Sequence, residues 1–329
     1  MTIHQVLASF KEKRILVVGD VMLDAYILGK VNRISPEAPV PIVSLNKEEQ
    51  RLGGAANVAL NLKSLGAETI LCSVVGNDKK GKQFLSILEN EGMNTHGIFS
   101  SDDRVTTVKT RVIGNNQQLL RIDEEDTFFL TEKEETSFLE LLEQLIETEK
   151  IDAIIFEDYN KGVLSKNVIQ ETILFAREKG IPTAVDPKKE NFLTYQGVTL
   201  FKPNLKELRE GLDMNCSFEN RTSFDAAMEE LEKRLNNEIS FVTLSENGVF
   251  IKKGSNVHHA PAHIRTIADV SGAGDTVISV ATLALAVGLS IESIAELSNL
   301  AGGLVCEKSG VVSIETDLLI QECEGKEWN

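Results

Sequence analysis

The chain has 329 residues, 42% of them apolar and 5% aromatic, and a formal net charge of −16. This length suits one large α/β domain with an appendage, or two ordinary domains, around a sizeable core. The acidity argues against nucleic acid and anionic membrane surfaces as partners, so an anionic substrate has to be met by local cations, backbone amides or a metal ion.

The cysteines Cys72, Cys216, Cys306 and Cys323 are scattered without a C-x-x-C pair and read as reduced thiols of an intracellular protein. The N-terminal stretch is polar and lacks the apolar core of a signal peptide. The longest apolar run, near Val277 to Leu289, is short and interrupted by Ser, Thr and Gly, so no membrane span is expected. A cytoplasmic protein is the expectation.

In chain order, Arg14-Ile15-Leu16-Val17-Val18-Gly19-Asp20 reads as a buried strand, the first of a parallel sheet. No G-x-G-x-x-G follows, which counts against a dinucleotide site and a dehydrogenase. Instead Asp20 and Asp24 lie just past the strand's carboxyl end, where open α/β sheets bind ligands; each is either a contact to ligand hydroxyls or a turn former. From Tyr26 to Leu52 the pattern is not helical: short β-like pieces such as Val40 to Leu45 sit among Pro36, Pro39 and Pro41. Val105 to Val112, Gly114-Asn115-Asn116 and Gln117 to Asp123 read as a hairpin with an Asn-rich turn. Together the two pieces, about 21–52 and 104–123, are expected to form a small β lid inserted in a single domain 1–329.

Between them, Gly53-Gly54-Ala55-Ala56-Asn57 opens a helix to about Gly66, followed by strand Thr69 to Val75 and helix Lys79 to Gly92. Adjacent glycines bring backbone close to a ligand, or simply make a packing turn, and Asn57 offers donor and acceptor to sugar hydroxyls. Thr131 to Lys150 is a charged amphipathic helix. Strand Ile151 to Phe156 ends in Glu157-Asp158-Tyr159-Asn160-Lys161-Gly162, and helix Ser165 to Gly180 leads to strand Thr183 to Val185 and Asp186-Pro187-Lys188. Strand Val198 to Phe201 leads to Asn204-Leu205-Lys206-Glu207, which opens a helix. Each strand ends in polar residues, so the predicted sheet has one polar edge, as in a doubly wound, mostly parallel α/β sheet flanked by helices. Asn204 and Glu207, three apart, serve equally as holders of metal-bound water or as a helix capping pair. Helix Ser223 to Asn236, strand Ser240 to Leu244, the turn Ser245-Glu246-Asn247-Gly248 and two short strands follow. His258, His259 and His263 read as a surface loop, having no acidic or cysteine partner nearby in sequence.

Asp269-Val270-Ser271-Gly272-Ala273-Gly274-Asp275 then runs into an apolar helical segment. A small-residue turn opening a helix presents unpaired N–H groups and the positive end of the helix dipole to an anion. A carboxylate beside bound phosphate is repelled by it unless it removes a proton from the attacking group, which makes Asp275 a base and the Gly272–Gly274 amides an anion hole. A capped helix after a glycine turn fits the same string. Helix Ile291 to Lys308 closes the series, with Asn299 beside Ala301-Gly302-Gly303, small enough to admit a flat base.

With GGAAN at Gly53 to Asn57 and DVSGAGD at Asp269 to Asp275, the whole chain resembles the ribokinase-like carbohydrate kinases. Within them it is similar to the kinase part of the D-glycero-β-D-manno-heptose 7-phosphate kinases. The strings that carry this are Gly19 to Asp24, Arg33 to Pro41, Asn116 to Arg121, Asp158 to Gly162 and Asp186 to Lys188. The resemblance implies a β-lidded α/β fold, ATP with Mg²⁺, and phosphorylation of the anomeric hydroxyl to the 1,7-bisphosphate, a lipopolysaccharide-core precursor step. It makes Asp275 the base, Gly272, Ala273 and Gly274 the anion hole, and Asp20, Asp24, Gly53, Gly54 and Asn57 the sugar contacts. It places Asn204, Leu205, Lys206 and Glu207 near the nucleotide phosphates, with Glu207 on Mg²⁺ through water, and Ser245, Gly248 and Asn299 in the nucleotide pocket.

The acceptor's distal phosphate needs cations, with Arg33, Lys109, Arg111, Arg121, Lys161 and Lys188 as candidates. Two departures stand out: Glu157 occupies a position where relatives usually carry a small residue, and no H-x-G-H occurs, so kinase activity without adenylyltransferase activity is expected. The alternatives are a kinase of the same fold for another sugar, such as a fructose phosphate, ribose or a nucleoside, and a non-catalytic sugar or nucleotide sensor. Exposed lid strand edges predict a homodimer through the lid.

Overall fold

Strand β1 (Arg14–Gly19) is buried on both faces, because its residues alternate between two separate cores. Ile15 and Val17 face one, Leu16 and Val18 the other, which is the pattern of a strand at the centre of a doubly wound sheet. The computed structural model describes residues 1–263 and 265–329.

Ahead of β1 lies α1 (Ile3–Phe10), closed by a Thr2–Gln5 capping box and seated on Ile3, Val6, Leu7 and Phe10. After β1 come β2 (Val21–Ile34), β3 (Pro41–Gly54), α2 (Ala55–Ser64), β4 (Glu68–Gly76), α3 (Lys79–Asn90) and β5 (Ile98–Ser101). The chain continues through β6 (Val108–Gly114), β7 (Gln117–Glu124), α4 (Glu132–Thr148), β8 (Ala153–Glu157), α5 (Lys166–Glu178), β9 (Thr183–Asp186) and β10 (Leu200–Phe201). It ends with α6 (Leu205–Leu212), α7 (Arg221–Leu235), β11 (Ile239–Thr243), β12 (Val249–Lys253), β13 (Asn256–Ala260), α8 (Ala273–Ala286), α9 (Ile291–Val305) and α10 (Thr316–Cys323).

Nine strands form the main sheet in the order β13-β12-β11-β10-β9-β8-β1-β4-β5, parallel except for the β11–β12 and β12–β13 pairs. Helices α1, α2, α3, α8, α9 and α10 cover one face, and α4 to α7 the other. The α/β sheet with a separate small sheet is as expected from the strand–helix alternation. Among the described residues no helix is long and apolar enough to cross a membrane.

The second sheet has the order β3-β2-β6-β7. Its hairpin β6–β7 turns at Asn115 and Asn116, both with positive φ, the backbone of a two-residue turn matched to strand twist. The first half differs from the expected short pieces: β2 and β3 are continuous fourteen-residue strands. Much of β2 and β3 is exposed on both faces, so no apolar alternation marks them, while Pro36 and Pro39 lie in the connecting turn and Pro41 at a strand start. Three other elements, α1, β5 and α10, go beyond the sequence-based expectation. Helix α1 has a readable apolar spacing hidden in a polar stretch, and the four residues of β5 are too few to show a period.

Candidate active site

The first turn of α8 leaves amides without helical partners by construction. Gly272, at φ +81°, sets the turn that begins it. Among the described residues no partner is found for the amides of Gly274 and Asp275, whereas the Ala273 amide donates to the Val270 carbonyl at 3.3 Å. No partner among the described residues is found for the Gly272 amide either, so of the expected Gly272–Gly274 set only Ala273 is engaged locally, and the Asp275 amide joins the unpartnered donors.

Asp275 is 5% exposed, and both its oxygens have donors: Asn57 Nδ2 at 2.7 Å to Oδ2 and the Tyr159 hydroxyl at 3.0 Å to Oδ1. Burial raises its pKa, Asn57 pulls it down, and the nearby Asp186 carboxylate pushes it up again, leaving it above the ordinary aspartate value. Asn57 is brought there by α2, which packs on α8 through Ala55, Ala56 and Ala59. Cross-links run from the Thr276 hydroxyl to Asn61 Oδ1 at 2.9 Å and from the Ser279 hydroxyl to the Val58 carbonyl at 3.3 Å. The Asn57 side chain, expected to meet sugar, is thus buried and holds the Asp275 carboxylate. Gly53 and Gly54 make the entry to α2: a Cβ on Gly53 would lie 2.3 Å from Asp24 Oδ2, and Gly54 has φ +62°.

Asp20 is 1% exposed and has a structural duty the sequence does not disclose. Its carboxylate accepts the amides of Tyr159 at 2.9 Å, Lys161 at 3.1 Å and Val163 at 3.1 Å. It clamps the loop after β8 and so positions Tyr159. Burial raises its pKa, and those three amides oppose that rise. The neighbouring Asp158 is pushed up to about 6 by burial and by Asp20. Asp24 is ion-paired with Arg111, whose guanidinium also lies 5.4 Å from the Tyr26 ring centroid. Burial works against the Arg111 charge, but Asp24 raises its pKa.

Lys109 and Lys188 stand over the Tyr159 ring at 5.5 and 5.4 Å. Lys188 donates to Glu207 Oε1 at 2.6 Å and lies 3.8 Å from Asp186; burial lowers its pKa less than these carboxylates raise it. Lys109 is the exception among the cations: no ion pair is found for it among the described residues, and burial followed by the charge of Lys161 lowers its pKa. Of the other distal-phosphate candidates, Lys161 pairs with Glu125 at 2.8 Å, Arg33 is exposed on β2, and Arg121 is exposed on β7 and paired with Asp123 at 2.9 Å.

Asn204 and Glu207 form the capping box: Glu207 N donates to Asn204 Oδ1 at 2.8 Å and Asn204 N to Glu207 Oε2 at 2.8 Å. Leu205 packs on the core and Lys206 points into solvent beside Glu210. Ser245, at φ +53°, opens a 3₁₀ turn after β11, and Gly248 packs so closely that a Cβ would lie 2.1 Å from the Ala260 carbonyl. Asn299 donates to the Pro261 carbonyl at 2.8 Å, so both features converge on segment 260–262. His258 and His259 are on β13 rather than in a loop, with His258 bonded to Glu296 at 3.0 Å.

Three buried groups complete the site: Glu157, Asp186 and Lys202, at the ends of β8 and β9 and just past β10. Lys202 Nζ lies 2.8 Å from Asp186 Oδ2, and the Glu157, Asp186 and Asp275 carboxylates converge, with oxygens within 4.8 Å of one another. Sequence reasoning assigns no role to these side chains or to the Tyr159 hydroxyl. Taking every polar residue at a strand's carboxyl end would have found them.

A family model for pfkB family carbohydrate kinases matches residues 12–317. The bifunctional protein HldE of Magnetococcus marinus is 42% identical over 324 residues, 96% of this chain and 65% of that protein. The HldE of Methylobacillus flagellatus is 40% identical over 313 residues, 95% of this chain and 64% of that protein. The chain thus spans just under two thirds of the length of these curated relatives. The Escherichia coli phosphofructokinase-2 structure in complex with fructose-6-phosphate aligns with a TM-score of 0.77 and 20% identity, over 94% of this chain and 99% of that one, a likeness of fold. The catalytic-turn geometry and these matches together place the chain in the pfkB family of carbohydrate kinases.

Proposed function

We propose that this chain transfers the γ-phosphoryl group of ATP to the anomeric 1-hydroxyl of D-glycero-β-D-manno-heptose 7-phosphate, giving the 1,7-bisphosphate and ADP. The observation that carries the reaction type is the buried Asp275 carboxylate, held by Asn57 and Tyr159 beside unpartnered amides at the start of α8. The heptose rests on the shared motif strings and on the likeness to the HldE proteins.

In this reading Asp275 takes the proton of the 1-hydroxyl as its oxygen bonds to the γ-phosphorus and the bond to the β–γ bridging oxygen breaks. Its raised pKa makes it a stronger base than an exposed aspartate. The unpartnered amides of Gly272, Gly274 and Asp275 meet the charge on the transferring group. Asn204, Glu207, Ser245, Gly248 and Asn299 lie on the nucleotide side. Mg²⁺ bound with ATP would supply neutralising charge, and the converging oxygen donors Glu157, Asp186 and Asp275 suit such an ion, with Glu207 reaching it through water. Lys109, with no carboxylate partner found, is assigned to the 7-phosphate. Residues 1–329 act as one kinase domain, in the cytoplasm, where four buried free cysteines stay reduced. A homodimer through the lid is part of the reading.

The test is ADP release measured across heptose 7-phosphate, fructose phosphates, ribose and nucleosides. Highest kcat/KM on heptose 7-phosphate is expected. A higher value on another acceptor transfers the assignment to it, and no release with any acceptor leaves a binding protein.

A further inference from the structure

Cross-strand register gathers polar and aromatic side chains on one face of the small sheet. Asp24 is opposite Arg51 on one side and Lys109 on the other, and Tyr26 is opposite Glu49 and Arg111, so these six share that face. Arg111 is engaged there by Asp24, and Lys109 lies over the Tyr159 ring. Arg51 is engaged differently. Its guanidinium lies 5.1 Å from the Tyr26 ring centroid, and Nη2 donates to Glu49 Oε2 at 3.1 Å, which anchors it within the lid.

Nη1 of the same guanidinium reaches out of the lid and donates to the Val311 carbonyl at 3.2 Å, 260 residues away in the chain. The approach is close: a Cβ on Gly310 would lie 2.8 Å from Arg51 Nη1, and Gly310 has φ +75°, so glycine makes room for the guanidinium. From segment 306–311 the contacts continue to the turn that opens α8. The Gly310 amide donates to Asp269 Oδ2 at 3.0 Å, and Asp269 Oδ1 accepts the Ser271 amide at 2.9 Å. The Cys306 carbonyl accepts the amides of Ala268 and Asp269 at 2.9 and 3.2 Å. Val311 also backs the turn directly, since a Cβ on Gly272 would lie 3.3 Å from its Cγ1. One short segment is thus held between a lid arginine and the residues that present the unpartnered amides.

We infer that Arg51 is a positioning residue for phosphoryl transfer. By holding Val311 it seats the lid on segment 306–311 and keeps the amides of Gly272, Gly274 and Asp275 aimed at the transferring group. The inference rests on the anion-hole reading of that turn and does not depend on which sugar is the acceptor. A guanidinium suits the task because its fork bonds a lid carboxylate through one nitrogen and a carbonyl outside the lid through the other, while its plane packs on an aromatic ring. Arg51 acts through Val311, so its loss shows in the rate of transfer rather than in substrate affinity.

The test is the single-turnover rate of ADP formation at saturating ATP and saturating acceptor, using the acceptor of highest kcat/KM. It compares the wild type, Arg51→Met, Asp269→Asn and the double variant. Methionine keeps an apolar stem on Tyr26 and removes the fork. Arg51→Met is expected to slow transfer at least about tenfold, because misplacing catalytic groups by about 1 Å costs up to about a hundredfold. KM for both substrates and the unfolding midpoint should change little. Asp269→Asn breaks the next link, so the double variant should be no slower than the slower single variant. Should Arg51→Met fail to fold, Arg51→Lys takes its place, with charge kept, the fork lost and the same slowing expected. The inference is overturned if the arginine variant transfers at the wild-type rate, or if the two single losses multiply in the double variant. It is also overturned if KM for the sugar rises while transfer at saturation is held, because Arg51 is then a substrate contact. A wild type that forms no ADP with any acceptor brings down the phosphoryl-transfer reading itself, and this inference with it.

Discussion

Asp275 suits the proposed role of base because its two hydrogen bonds fix its direction while burial keeps its proton affinity up. Around it the cations divide by their partners. Arg111, Lys161, Lys188 and Lys202 each answer a carboxylate, so they organise the pocket; Lys109, packed on the Tyr159 ring, has a charge still to be matched. Lys109→Ala is therefore expected to raise KM for the phosphorylated sugar roughly tenfold to a hundredfold, the worth of a charge-assisted contact, with kcat little changed. Steady-state kinetics with the sugar phosphate and its unphosphorylated counterpart check this, and an equal loss on both acceptors contradicts it. Among single residues, Asp275 is legible because its string has an uncommon composition. The duties of Asn57 and Asp20 are not, since a side chain that holds the base and one that faces a sugar have the same identity and the same place in the motif. Tertiary contacts over 218 residues, as between Asn57 and Asp275, leave no local signal.

At the scale of elements, the site depends on how α2 begins. Gly54 has φ +62° and ψ −138°, and a Cβ there would lie 2.4 Å from the Asp20 carbonyl oxygen. Gly54→Ala is expected to cost about 1–3 kcal/mol from backbone strain alone. It should also lower kcat, since the start of α2 carries Asn57 to Asp275. Urea unfolding beside kcat measurements checks both effects; unchanged stability and turnover contradict the role given to the turn. Helix and strand positions in the main sheet are readable from period and breaker residues. The capping box of Asn204 and Glu207 is half readable: the spacing announces a cap, and the structure shows it formed while Lys188 takes the remaining Glu207 oxygen.

For the whole molecule, the α/β layers follow from strands buried on both faces, a pattern that survives without tertiary information. The lid sheet does not follow in the same way, because its strands have little buried apolar face. That same exposure bears on assembly. Ile34, Leu45, Leu119, Leu120 and Ile122 are all large, apolar and exposed on the lid, with Leu120 at 55%. Sedimentation of the wild type is expected to give a dimer, and Leu120→Lys with Ile122→Lys a monomer; a wild-type monomer, or a dimer unmoved by the charges, contradicts the lid interface.

All of this turns on whether the carboxylate at the head of α8 removes the proton. The most direct measurement is kcat of Asp275→Asn with ATP and heptose 7-phosphate, alongside calorimetric ATP binding. A fall of about 10²–10⁴ or more, the range of general-base catalysis, with ATP affinity retained is predicted. Turnover within a few-fold of the wild type would contradict the account.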